Sequence, residues 1–181
     1  LDPMLVAVQR QRAFTLLQLG HLHDVQVAIA PGVEYYQQAV AIYHAMGDPW
    51  GEATARLGLG EIIYRTGNYA QASQHYEASL ARFQHVGDQR GCAIALERLG
   101  CILRDQGELE AAKPLIAQAV SLYEGFGDRA KMARGQLLLG GLAMYAGAFR
   151  TAYPMIQRSV ELFAELGMPG PRISLGIIHL E

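Results

Sequence analysis

Residues 85–91 read HVGDQRG, and the same phrase returns at 45–51 as AMGDPWG and at 125–131 as GFGDRAK. Gly47, Gly87 and Gly127 are each followed by aspartate, 40 residues apart, and Gly167 keeps the interval. A fixed period of that length marks an internal repeat. The local chemistry is that of one helix ending and another beginning. Glycine closes a helix in the left-handed conformation, and an aspartate after it can accept from free N–H groups of the next helix. Pro49 follows in the first copy, at the helical position where its missing N–H is not needed. One aspartate per copy is too few oxygens for a calcium loop.

Outward from the hinge, the period extends through whole units. Leu19-Gly20, Leu59-Gly60, Leu99-Gly100 and Leu139-Gly140 recur, as do the turn glycines Gly67, Gly107 and Gly147. Tyr69, Leu109 and Phe149 follow those turns, then Ala72, Ala112 and Ala152, and each unit carries a late aromatic: Tyr43, Phe83, Tyr123 or Phe163. Between the glycines, apolar residues fall at steps of three and four, the period of a helix with one buried face. The spacing predicts A helices near 4–21, 49–66, 89–106 and 129–146, and B helices near 33–46, 69–86, 109–126 and 149–166. Small residues at Gly60, Gly100 and Gly140 and at Ala72, Ala112 and Ala152 let paired backbones approach. Pro114 and Pro154 are expected early in their helices, where a missing donor costs least. In the first unit Val27 replaces the second turn glycine and Pro31-Gly32 follows, which predicts an irregular connection and a late second helix.

The 181 residues are half hydrophobic with a net charge of −2, which argues against a nucleic-acid or anionic-membrane surface. No run reaches the length of a membrane span, and no signal peptide is present. Cys92 and Cys101, about 13 Å apart along one helix, are beyond bridging distance and point to a reducing, cytoplasmic setting. No phosphate-loop, metalloprotease or nucleophile-elbow motif occurs. His21, His23 and Asp24 form the one histidine cluster in the sequence, but neighbours two apart on a helix diverge. The reading is of a protein without enzyme activity, cofactor or metal.

The Leu-Gly pair, the turn glycine seven residues on, and the alanine that follows resemble the tetratricopeptide repeat (TPR), in the 40-residue form found in kinesin light chains, Leu-Gly-Asn spindle adaptors and bacterial signalling NTPases. The resemblance is strong over 33–166 and weaker at the ends. It implies an all-α solenoid of helical hairpins in a right-handed superhelix, one repeat domain over 1–181. Its units are about 1–47, 48–87, 88–127 and 128–167, with a partial fifth at 168–181. The asparagine that follows Leu-Gly in the eukaryotic adaptors is replaced by His21, Glu61, Cys101 and Gly141. The alanine-rich style is closer to the C-terminal sensor regions of bacterial STAND-type ATPases and related transcription activators.

That resemblance implies a concave groove lined by A helices, with candidate residues Glu61, Tyr64, Arg65, Glu97, Cys101, Arg104, Asp105, Arg134, Gly141, Met144 and Tyr145. Arg104 and Arg134 are expected to be surface cations whose reversal leaves stability nearly intact. The implied function is binding of a protein or peptide effector, as the regulatory segment of a larger signalling NTPase or transcription regulator. The alternative is a freestanding adaptor. The chain opens LDPMLV and stops at HLE inside the repeat pattern, which sets the expectation of a longer parent whose other domains are further partners. At 171–181, Ile173, Leu175, Ile177, Ile178 and Leu180 are apolar on more than one helical face, either in step with the 40-residue beat or with Leu175-Gly176 advanced one turn. Self-association through this end is expected.

If Leu99 is as buried as its place in the period requires, Leu99→Ala lowers stability by about 2–5 kcal/mol, measured by urea unfolding.

Overall fold

The computed structural model describes residues 3–25 and 29–170, and these contain eight α-helices. They are α1 (Pro3–Val25), α2 (Ile29–Ala45), α3 (Pro49–Arg65), α4 (Tyr69–Val86), α5 (Gln89–Asp105), α6 (Leu109–Gly125), α7 (Arg129–Tyr145) and α8 (Phe149–Glu165). From α3 onward each boundary lies within one residue of the position set by the glycine spacing. No helix among the described residues is long and apolar enough to cross a membrane. The expected fifth A helix, at 171–181, lies outside the described residues.

The HVGDQRG phrase resolves letter by letter. Gly87 ends α4 at φ 72°, a conformation that costs a side-chain-bearing residue about 1–2 kcal/mol. Its N–H donates to Gln84 O, and the Asp88 N–H donates to Phe83 O at 2.9 Å, satisfying carbonyls that a helix end leaves open. Asp88 Oδ1 then accepts the Gly91 N–H at 3.0 Å, opening α5. Asp48 and Asp128 cap α3 and α7 in the same way, through Gly51 and Lys131. The turn glycines Gly67, Gly107 and Gly147 also have positive φ, so every described hinge uses one device.

The chain forms two compact units, 1–95 and 96–181, with α5 running through the division. In the first, Ala13, Leu16, Ala39, Tyr43 and Ala55 form a continuous core. In the second, Ala112, Ile116, Val120, Leu139 and Leu142 do so, and Leu99 is 8% exposed.

Within each hairpin the Leu-Gly glycine meets a large side chain from the partner helix. A Cβ on Gly60 would lie 2.6 Å from the Tyr76 ring, and one on Gly100 or Gly140 would lie 2.5 Å from Ile116 or Ile156. Gly20 faces Tyr36 in the same way, at 3.0 Å. A second series joins consecutive hairpins: Gly51 lies under Tyr43, and Gly91 under Phe83. The third copy has Lys131 in place of this glycine, and its ammonium sits 5.9 Å over the Tyr123 ring.

Two expectations are corrected. The second helix begins at Ile29, not near 33, so the first unit keeps the register of the others. Pro31 falls in its first turn, where no backbone donor is required. Pro114 and Pro154, by contrast, lie inside α6 and α8, five residues beyond the first helical residue. Each removes a hydrogen bond there, and the carbonyls left without a donor belong to the exposed residues Glu110 and Arg150.

Gly100 and Gly141 lie on neighbouring A helices, but no side chain comes within 4 Å of a Cβ built on Gly141. Gly100→Ala is expected to lower the free energy of unfolding, measured by urea denaturation, by about 1–3 kcal/mol through overpacking against Ile116. Gly141→Ala is expected to raise it by about 0.4–1 kcal/mol by stiffening the unfolded chain.

Candidate functional site

The groove residues inferred from the resemblance divide between the two units. In the first, Glu61 is half-buried and accepts from the Tyr76 hydroxyl at 3.1 Å. Tyr64 is half-buried with its ring 5.6 Å from that of Tyr69, and Arg65 is exposed in the last turn of α3. In the second, Arg104 pairs with Asp105 at 2.7 Å. Gly141 and Met144 are half-buried, and Tyr145 is 78% exposed.

Glu97 and Cys101 are not surface residues: they are 1% and 5% exposed. Glu97 stands at the register position held elsewhere by Leu17, Leu57 and Leu137. A carboxylate in that place is tolerated only with partners. Its Oε2 accepts the Tyr123 hydroxyl at 3.0 Å, and Arg134 Nε lies 3.1 Å from Oε1. Burial and the Glu97 charge push the Tyr123 pKa up, so the phenol stays a donor. Burial likewise raises the Cys101 thiol, which keeps it protonated and unreactive. Arg134 is therefore not the neutral surface cation expected from the sequence. Arg134→Glu would set a second carboxylate against a buried one.

The sequence reading missed a second charged cluster, around Glu52 at the start of α3. Glu52 is 3% exposed. Arg56 Nε lies 2.7 Å from one carboxylate oxygen, and His44 Nδ1 and Arg82 Nε lie 3.1 and 3.2 Å from the other. A signal was present. Arg82 occupies the position of Ile42, Leu122 and Leu162, while Glu52 aligns with Arg12, Cys92 and Met132. Arg82 breaks an otherwise apolar position, Glu52 is the one acid at its own, and the two opposite charges meet in space. Burial raises the Glu52 pKa, but the hydrogen bonds from Arg56, Arg82 and His44 outweigh it and bring the carboxyl from 4.5 to about 2.

A third arrangement surrounds the first hinge. Trp50 Nε1 donates to Asp88 Oδ2 at 2.8 Å, so the carboxylate that caps α5 also fixes the indole. Arg10, Gln11, Phe14, Tyr43, Asp48 and Trp50 line a cleft of about 400 Å³ there. Of the histidine cluster, His21 is exposed, while the side chains of His23 and Asp24 lie outside those described. No group of three metal-ligating side chains gathers among the described residues.

Residues 51–125, which span α3 to α6, match the family model of the tetratricopeptide repeat. No curated protein matches the chain in sequence. Among solved structures the chain is similar to BtubC (BKLC) from P. vanneervenii, at 22% identity and a TM-score of 0.77, covering 90% of this chain and 68% of that one. It is similar to aspartyl phosphate phosphatase F from Bacillus subtilis, at 13% identity and a TM-score of 0.82, over 87% of this chain and 41% of that one. It is also similar to a Rap protein complexed with competence and sporulation factor, at 14% identity and a TM-score of 0.80, over 87% and 44%. The chain thus spans less than half the length of the last two. At these identities the likeness is one of fold: an all-α array of TPR-type hairpins.

The folded-state pKa of Glu52 is depressed, so its contribution to stability is complete above 4.5 and fades as pH falls toward 2. Between about pH 5 and pH 2.5 the unmutated chain is expected to lose about 2 kcal/mol more than Glu52→Gln. Urea unfolding of both proteins at each pH checks the difference.

Proposed function

We propose that this array is a non-catalytic module that binds a protein or peptide effector, and that it is the regulatory or sensor segment of a larger signalling NTPase or transcription regulator. The observation that carries the binding half is the end of α7, where Tyr145 is 78% exposed, the one large apolar side chain of this helix that faces water so fully, with the half-buried Met144 beside it. Exposed aromatic and methionine side chains on a rigid helix are the usual anchors of a protein interface. The buried carboxylates do structural work in ion pairs and are not poised for proton transfer. A similar fold carries a bound factor in the Rap complex, which supports the same reading.

Panning a random dodecapeptide library against the chain tests it. Enriched peptides are expected to bind about tenfold more weakly to Tyr145→Ala, a change expected to move stability by less than about 0.5 kcal/mol. Affinities measured by calorimetry that ignore Tyr145→Ala and Met144→Ala would place the site elsewhere, and no enrichment at all would remove the binding reading. The regulatory half is tested by the open reading frame around residues 1–181. An NTPase or regulator domain in that frame is the expected result, and a frame confined to this segment overturns it.

A further inference from the structure

The cleft at the first hinge is built in a way that specifies what it takes. Its floor is Tyr43, 6% exposed, with its ring pressed on the α3 backbone where a Cβ at Gly51 would lie 2.2 Å away. Its walls are Phe14 and Trp50, 51% and 53% exposed. The corresponding positions are Thr54, Ile94 and Arg134 for Phe14, and Arg10, Arg90 and Ala130 for Trp50. Large rings at these two register positions therefore occur together in this repeat pair alone. The indole N–H already donates to Asp88, which leaves the apolar face of the ring for a ligand.

The charges complete the specification. Asp48 Oδ1 accepts the Gly51 N–H at 2.9 Å, and Asp88 accepts from both Gly91 and Trp50. Both carboxylates sit at helix N-termini, whose partial positive charge offsets them. Arg10 is different: it lines the cleft, and among the described residues no carboxylate lies within ion-pair distance of it. The cleft thus joins a guanidinium outside ion-pair distance of its one lining carboxylate, Asp48, to two half-exposed rings.

We propose that this cleft binds an extended peptide segment in which a carboxylate side chain neighbours a large apolar one. Arg10 takes the carboxylate and the Phe14–Trp50 pair takes the apolar group. The inference rests on the peptide-binding reading above and adds to it a separate site with a stated chemistry.

Trp50 is the one tryptophan of the 181 residues, so tryptophan emission reads this cleft alone. The probes are three acetylated and amidated hexapeptides, GSEFGS, GSKFGS and GSEAGS, with adenosine monophosphate as a non-peptide control. The GSEFGS peptide is expected to blue-shift the emission saturably, and each replacement is expected to weaken it by about tenfold. In Arg10→Ala, an exposed position, the preference for GSEFGS over GSKFGS should vanish while circular dichroism and Tm stay unchanged. Equal affinities for the acidic and basic peptides, or a preference that survives Arg10→Ala, would overturn the assignment. So would tighter binding of the nucleotide than of GSEFGS. Calorimetric binding without any change in emission would leave peptide binding intact and remove this cleft as its site. Silence in both measurements for all three peptides, together with no enrichment in panning, would remove both readings.

Discussion

The contact on which the other packing depends is a glycine in the middle of each A helix set against one large side chain sixteen residues later. Gly20 with Tyr36, Gly60 with Tyr76, Gly100 with Ile116 and Gly140 with Ile156 are the same contact four times. Glycine inside a helix is unfavourable by about 0.5–1 kcal/mol, so its repeated presence has to be offset by packing. The offset is visible in the buried rings and branched chains that occupy the missing Cβ space. Once that approach is fixed, the hinge lengths and the late aromatics follow, because each B helix must present its next large residue to the following A helix. Gly51 under Tyr43 and Gly91 under Phe83 are that next step.

A repeat built on so strict a rule makes its exceptions informative. Arg82, paired with Glu52, and Glu97, bonded to Tyr123, place charges where the other copies have apolar side chains. Buried ion pairs are weak sources of net stability because desolvation opposes them. Their effect here is to make one hairpin unlike the next, so that a helix cannot pair out of register without leaving a charge unanswered. Burying Glu97 also sets Arg134 against α5, which makes a half-exposed arginine part of the core's electrostatics.

What was legible in the sequence was whatever repeats. The hinge glycines, the capping aspartates and the eight helices could be read because each recurs at 40 residues with a mechanical reason. The start of α2 was misread because Pro31-Gly32 was weighed as a breaker, when a proline in the first turn is compatible with a helix. Burial at candidate surface positions was not legible. Glu97 has the residue type of a solvated face and the register of a leucine, and spacing alone does not say which governs. The partnership of Trp50 with Asp88 joins residues 38 apart and leaves no periodic trace, since neither adjacent copy carries a tryptophan.

Asp88 shows why scaffold and surface are hard to separate in this chain. One carboxylate oxygen closes the first turn of α5 and the other holds the indole of Trp50. The cap is worth about 1 kcal/mol to the helix, and it also sets the orientation of an aromatic ring on the preceding hinge. A ring held by a hinge loses less freedom when a ligand meets it, so less of the gross interaction is spent on ordering. The orientation of that ring is therefore tied to the stability of the α4–α5 hinge. Loosening that hinge weakens any contact made through Trp50 without touching the contact itself.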